Sequence, residues 1–312
     1  MIKHNPSTYN LNKLSIISLE GQDAKEFIQG QITNDINLVS NKQSIYAGYC
    51  SPKGRLIAFF HIVKFQESFL LLCPSSISTE ISKKLSMYVL RAKVIIKLNP
   101  EYLTFFGVSL NKENKNTNNL FSNPPKSPMN TVFHDEISIT KLPGQDERLL
   151  IIGLSKKCNT LLKGLQPNSN NLNNKDWFSD DIRTKIPNIF LETQNQFIPQ
   201  SLNLDLINAI NFKKGCYTGQ EIVARTHYLG QPKRRMYLGS VHLDKEPKFG
   251  ETIIADEENV GQVVNVYCKE KGLYCVLLEL QIKKINSELK LLNSKINITD
   301  NEKLLFKNDS KQ

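Results

Sequence analysis

Apolar residues in the first third of the chain form short runs separated by turn residues. Residues 14–36, LSIISLEGQDAKEFIQGQITNDI, start with a β-prone run and continue after a glycine with helical spacing of apolar positions. Asp23 is a suitable N-cap, and Glu26 follows it at capping-box spacing. The pattern predicts a strand, a turn and a helix that begins after Asp23.

Two further β-prone runs, in AGYCSPKGRLIAFFHIVKF, meet at Ser-Pro-Lys-Gly. Proline at the second turn position and glycine at the fourth are typical of a type I turn, so we predict a β-hairpin with its turn at 51–54. Further along, strands are predicted at 67–74, 93–99, 102–110 and 131–142, and a helix at 76–92. This alternation of strand and helix signals favours an α/β or α+β fold over an all-helical or all-β one, and α+β is the class that we predict.

The character of the chain changes after residue 232. Residues 236–298 hold short β-like runs spaced by turn residues, which predict a small β-barrel or sandwich. We therefore predict an N-terminal region at 1–232 with two α/β subdomains, a barrel at 233–298 and a frayed tail at 299–312. Residues 111–130 are aperiodic and rich in Asn, Pro and Lys, which predicts a mobile surface loop.

The composition indicates the size, the cellular compartment and the kinds of partner to expect. The chain has 312 residues, 40% of them hydrophobic, which is enough for ordinary globular cores. We find no run of about 18 apolar residues and no signal-peptide core, so we expect a cytoplasmic protein without a membrane partner. The formal net charge of +10 favours an anionic partner such as nucleic acid, or reflects a solvated lysine surface. Six scattered cysteines without a CxxC pair predict no metal site.

One cysteine has unusual neighbours, in the sequence FKKGCYTGQEIVART. Thr218 begins a Thr-x-x-Glu capping box, so we expect a helix to start there, two residues after Cys216. The helix N-terminus, the charges of Lys213 and Lys214, and a turn at Gly215 would each favour a thiolate. The pattern predicts a reactive cysteine, with a buried cysteine in a tight loop as the structural alternative.

A Cys–His hydrolase is another alternative for this cysteine. His227 would lie about 16 Å farther along the same helix, which is too far for a local base. The remaining histidines could approach Cys216 only through the fold, and the sequence gives no sign that they do.

Several motifs make the chain resemble one family. KGCYTGQE lies between FIPQSLNLDLINAINFK and IVARTHYLGQPKRRMYL, and GQDAKEFIQGQITND, CSPKGRL and NVGQVV supply further blocks. Together they resemble the YgfZ family, folate-binding proteins that support iron–sulfur enzymes and are related to the aminomethyltransferase of the glycine cleavage system. The resemblance covers the chain except the Asn-rich loops and the tail. It implies an aminomethyltransferase-like ring of α/β subdomains around a folate channel, closed by a small β-barrel.

The resemblance also implies functional residues. Lys214 and Cys216 match the lysine and cysteine on which the family depends, and they are the candidate catalytic residues. Trp177 falls where the family has a tryptophan associated with folate, and its ring would suit stacking on a pteridine. Leu14 falls where some members carry a second such tryptophan. Tetrahydrofolate is the implied cofactor, and its candidate contacts are Leu14, Trp177, Lys214, Tyr217, Gln220 and Glu221; Gly215 and Gly219 complete the motif.

The related aminomethyltransferases carry a carboxylate on the strand after the hairpin glycine. Here that strand has no acidic residue between Gly54 and Glu67, which argues against aminomethyl transfer. The leading interpretation is a tetrahydrofolate-binding accessory factor that assembles or repairs iron–sulfur clusters in client enzymes, including tRNA-modifying methylthiotransferases. The alternatives are a folate-dependent one-carbon transferase acting on tRNA, and a folate-binding module in which Cys216 is structural.

Overall fold

The computed structural model of the protein describes residues 6–110, 123–144, 147–165, 170–172 and 174–299. Most of the predicted loop at 111–130 and nearly all of the predicted tail at 299–312 lie outside these residues. The described end of the loop is held by its backbone, because Met129 accepts a hydrogen bond from the N–H of Ser44 and donates one to the carbonyl of Lys141.

A five-stranded antiparallel sheet forms the first layer. Its elements in chain order are β2 (Leu14–Glu20), α1 (Ala24–Gln29), β3 (Ile45–Cys50), β4 (Leu56–Phe65), β5 (Ser68–Pro74), α2 (Ser75–Met87) and β6 (Ile95–Leu98). The strands lie in the order β3, β4, β5, β2, β6. β3 and β4 form the predicted hairpin, and the N–H of Gly54 bonds to the carbonyl of Ser51 across its turn.

Both faces of this sheet are covered, which explains its uninterrupted apolar strands. In β5, Phe69 and Leu71 pack in the cluster that includes α1 and α2, whereas Leu70 and Leu72 pack in the cluster shared with the second sheet. Side chains alternate across a strand, so a strand that is buried on both sides is a continuous apolar run.

The second sheet has six strands. Its elements are β1 (Ser7–Tyr9), β7 (Leu103–Leu110), β8 (Thr131–His134), β9 (Ile137–Leu142), β10 (Glu147–Leu154), α3 (Ser155–Leu165) and β11 (Asn170–Leu172). The order is β11, β1, β7, β10, β9, β8, and every pair is antiparallel except β1 with β11. Leu150 and Ile152 of β10 pack against the first sheet, while Leu149 and Ile151 share a cluster with α3.

The last part of the chain closes into a barrel. After α4 (Asn174–Arg183) and α5 (Gln220–Tyr228) come β12 (Arg234–His242), β13 (Thr252–Ala255), β14 (Glu258–Glu270), β15 (Leu273–Gln281), β16 (Lys290–Leu291) and β17 (Ser294–Ile298). Short 3-10 helices lie at Ile36–Leu38, Leu191–Thr193, Pro199–Leu202 and Ile282–Lys284. The six strands form a closed barrel, so the α+β class with a C-terminal barrel is confirmed.

Two predicted helix details are wrong. Asp23 is the N-cap of α1 but makes no capping bond, because its Oδ2 accepts a hydrogen bond from the backbone N–H of Lys93 at 2.7 Å. α2 ends at Met87 instead of residue 92. Its last buried apolar side chain is Leu85, and Leu90 beyond it is 88% exposed, so the remaining apolar residues have no core to pack on.

Candidate functional site

The structure fastens the KGCYTGQE loop to α1 through Lys214. This lysine is 8% exposed, and its Nζ donates to the carbonyl oxygen of Ile32 at 2.7 Å and to that of Gln29. Both carbonyls lie at or just beyond the C-terminus of α1, where the helix dipole favours a cation. Burial lowers the pKa of Lys214 to about 8, against the attraction of Asp35. Lys214 therefore anchors the loop from within.

Two glycines hold the other end of the loop against the β3–β4 hairpin. Gly219 has a φ of +82°, and a Cβ there would lie 2.4 Å from the carbonyl oxygen of Ser51 and 2.9 Å from the Cα of Gly54. Gly54 has a φ of +65°, and a Cβ there would lie 2.7 Å from the Cβ of Ile222. The loop and the hairpin turn therefore interlock where only glycine fits.

This contact also explains why the predicted helix start is wrong. α5 begins at Gln220, with Gly219 as its N-cap and no side-chain capping bond, instead of at Thr218. The left-handed backbone of Gly219 interrupts the helix before the predicted capping box can form. Cys216 is thus farther from the helix N-terminus than the sequence pattern indicated.

Cys216 is exposed on this anchored loop. It lies between buried Lys214 and buried Tyr217, whose ring centroid is 4.9 Å from the lysine Nζ. The alternative of a buried cysteine is therefore wrong. Gln220 is partly exposed and Glu221 is exposed.

The other cysteines differ in exposure. Burial raises the pKa of the Cys50, Cys73 and Cys158 thiols to about 12, while Cys275 is partly buried and Cys268 is exposed. Among the described residues, no group of three or more His, Cys, Asp or Glu side chains could hold a metal ion.

The predicted residues Leu14 and Trp177 meet elsewhere, in a cavity of about 50 Å³ between the two sheets and α4. Trp177 is 2% exposed; its ring packs closely on Gly107, and the Arg148 guanidinium carbon lies 4.4 Å from its centroid. The lining consists of Leu14, Tyr46, Phe59, His61, Leu72, Leu142, Leu150, Trp177, Asp181, Ile186 and Asn188. Of the predicted site residues in the described part of the chain, only Leu14 and Trp177 belong to it.

The polar groups of this cavity were missed by the sequence analysis. Asp181 accepts a hydrogen bond from Nη2 of Arg148 at 2.7 Å and one from Nδ2 of Asn188 at 3.3 Å. His61 bonds through Nε2 to Oγ of Ser44 at 2.9 Å, and its pKa falls to about 3, mainly through burial. One signal was available, because Arg148 is the charged residue that directly precedes the apolar run LLIIGL.

A larger pocket of about 440 Å³ adjoins the cavity, and Asn188 lines both. Its wall includes Phe178, Phe190 and Phe249, and the rings of Phe190 and Phe249 stack with centroids 4.5 Å apart. The two spaces therefore lie next to each other on either side of Asn188.

Comparison with known proteins defines the class of this fold. Glycine cleavage system aminomethyltransferase T from Bartonella henselae superimposes with a TM-score of 0.74, over 96% of this chain and 86% of that one, at 13% identity. The protein therefore has the aminomethyltransferase-like fold, as the motifs predicted.

The sequence comparison then gives the family. The tRNA-modifying protein YgfZ of Hamiltonella defensa subsp. Acyrthosiphon pisum (strain 5AT) is 30% identical over 244 residues, which is 78% of this chain and 72% of that protein. The chain belongs to the YgfZ family. No protein-family model matches the sequence. Within the described residues, no helix has both the length and the apolar character needed to cross a membrane.

Proposed function

We propose that this protein is a tetrahydrofolate-binding accessory factor that assembles or repairs iron–sulfur clusters in client enzymes, among them tRNA-modifying methylthiotransferases. The observation that carries the proposal is the anchored loop, which presents Cys216 to solvent away from the cavity lining. A thiol displayed in this way is accessible to a protein partner, whereas a hydrolytic or transfer enzyme needs its reacting groups gathered in one site.

The cavity of Leu14 and Trp177, called the inner cavity below, has the apolar and hydrogen-bonding groups that a folate requires. A pterin is a flat ring with an amide-like, hydrogen-bonding edge. Aliphatic and aromatic side chains of the wall would contact the part of the ring that lies in the cavity, and Asp181 and Asn188 would bond to its edge. The cavity of about 50 Å³ is smaller than the ring system, so the ligand would extend into the outer pocket of about 440 Å³. When bound, tetrahydrofolate would supply a carrier for one-carbon units.

A second candidate function is that of a folate-dependent one-carbon transferase acting on tRNA, because Asp181 places a carboxylate in the cavity wall. β4 has no acidic residue, but α4 brings this carboxylate to the cavity wall. Its two carboxylate oxygens already accept hydrogen bonds from Arg148 and Asn188 within the protein. Purified protein with tetrahydrofolate and an aminomethyl-lipoyl donor should form no methylene-tetrahydrofolate. Clear turnover would favour the transferase.

The accessory role is tested by replacing the thiol in a strain that lacks the protein. Cys216→Ser keeps the size of the side chain and removes the thiol, so we expect a folded protein that fails to restore the activity of iron–sulfur enzymes. Cys275→Ser, which removes a partly buried thiol in the barrel, is the control and should restore it. The readouts are enzyme activities in extracts and methylthio-modified nucleosides in tRNA. Full restoration by Cys216→Ser would refute a role for the thiol.

A further inference from the structure

A groove of about 920 Å³ lies between α5 and the barrel. It is next to the KGCYTGQE loop, called the Cys216 loop below. One face of α5 forms the wall of the groove through Ile222, Arg225 and Thr226, and Leu229, the C-cap of the helix, continues this face. This spacing is one stripe of an α-helix, and the residue that α5 buries, Val223, lies off this stripe. The stripe is therefore a helix face that the described fold leaves open in the groove.

The groove concentrates arginine. Of the 40 basic residues only seven are arginine, yet Arg55, Arg225 and Arg234 all line it, together with Lys233. Its single acidic residue, Glu279, is buried and bonded to Arg234 at 2.8 Å. The excess of lysine in the composition does not explain why three arginines line one groove. Arginine is the cation suited to bidentate binding of carboxylate or phosphate, so the groove is built for an anionic partner.

The apolar residues of the groove distinguish a protein partner from RNA. Ile198, Ile222 and Leu229 line it, and Leu229 is 81% exposed. Its lining, all within the described residues, includes no aromatic ring. Single-stranded RNA is held largely by stacking of its bases on aromatic side chains, whereas aliphatic anchors at helical spacing fit a peptide.

We propose that this groove binds an acidic segment of a partner protein that also carries aliphatic side chains. Its carboxylates contact Arg55, Arg225 and Lys233, and its aliphatic side chains lie on Ile222 and Leu229. The Cys216 loop runs directly into α5, and Gly54 packs on both Gly219 and Ile222, so a segment bound along α5 is held close to the thiol. If the accessory role is correct, on which this step rests, the segment belongs to a client enzyme.

Binding is tested with defined probes. A short fluorescein-labelled peptide of glutamate and leucine should bind the purified protein in fluorescence anisotropy, and peptides of lysine and leucine or of glutamate and serine should bind far more weakly. The double variant Arg225→Glu with Lys233→Glu should lower the affinity for the glutamate–leucine peptide at least about tenfold. Arg91→Glu with Lys163→Glu also reverses one exposed arginine and one exposed lysine, but outside the groove, and should bind like the wild type. Unfolding midpoints show that both variants are folded.

The contrary outcomes are distinct. Equal weakening in both double variants would mean that net charge alone attracts the peptide and would overturn the proposal. Tighter binding of a labelled oligouridine, lost only in Arg225→Glu with Lys233→Glu, would make the groove an RNA site and overturn it as well. Cys216→Ser should bind the peptide normally, so failure of the accessory role in cells is separable from failure of the groove to bind the peptide.

Discussion

Lys214 is an ammonium group held inside the protein by two carbonyl oxygens. The unfolded chain keeps its proton up to about pH 10.5, whereas the folded protein releases it near pH 8. Between these values the unfolded state binds more protons, so the contribution of Lys214 to stability rises with pH; below about pH 8 it is constant. The difference in unfolding free energy between the wild type and Lys214→Met should therefore shift in favour of the wild type from about pH 8 to about pH 10.5.

Urea denaturation at a series of pH values measures this difference. Lys213→Met is the matched control, because it removes the same charge from the exposed neighbouring side chain and leaves the two carbonyl contacts of Lys214 in place. A pH dependence for Lys214→Met no greater than that of Lys213→Met would mean that the folded protein does not lower the pKa of Lys214.

Trp177 is the single tryptophan of the chain, so its fluorescence reports on the inner cavity alone. Tetrahydrofolate should quench that fluorescence if the ligand reaches the cavity. Trp177→Phe keeps one aromatic ring, so it should weaken binding by part of the ~1–3 kcal/mol that complete loss of a stacking ring costs. Phenylalanine is preferable to alanine because Trp177 fills the space under Gly107 and Arg148. Unchanged affinity measured by titration calorimetry would place the folate site elsewhere.

The contact between the hairpin and the Cys216 loop depends on Gly219. Gly219→Ala must adopt a left-handed backbone, which costs about 1–2 kcal/mol, and its Cβ must also displace the Ser51 carbonyl. We therefore predict a loss of unfolding free energy above that range. Gly215→Ala, in the same loop, is the control, because a Cβ there meets no atom within 4 Å, and it should cost much less. Thermal or urea unfolding compares the two, and equal losses would contradict the interlocked arrangement.

The predicted elements succeeded where one local signal decided the structure. The hairpin was readable because Pro52 and Gly54 suit a single turn type, and the strands because burial on both faces gives continuous apolar runs. The start of α1 after Asp23 was predicted correctly but its capping bond was not, and the start of α5 was placed two residues too early, because distant partners override local capping. Asp23 bonds to Lys93, and Gly219 packs on Ser51. No sequence window contains both members of such a pair.

The candidate site consists of two separate parts, the Cys216 loop and the inner cavity, and the sequence does not show this separation. The motif around Cys216 and the residues Leu14 and Trp177 were predicted from resemblance, but their separation into an exposed loop and an enclosed cavity depends on how the sheets and α4 pack. Asp181 lies in a charged helical stretch and reads as solvated surface. It becomes a cavity group only because β10 brings Arg148 against it.

This separation predicts that, in the purified protein, folate affinity does not depend on the Cys216 thiol and thiol reactivity does not depend on the folate pocket. Cys216→Ser changes an exposed side chain that is absent from the cavity lining, so it should bind tetrahydrofolate with wild-type affinity. Trp177→Phe should bind folate more weakly, yet its Cys216 should react with iodoacetamide at the wild-type rate, as followed by peptide mass spectrometry. Cys50, Cys73 and Cys158, which are buried, should be labelled only after unfolding and so confirm that the protein is intact. Loss of folate binding in Cys216→Ser, or altered labelling of Cys216 in Trp177→Phe, would mean that the two sites are coupled through the loop that Lys214 anchors.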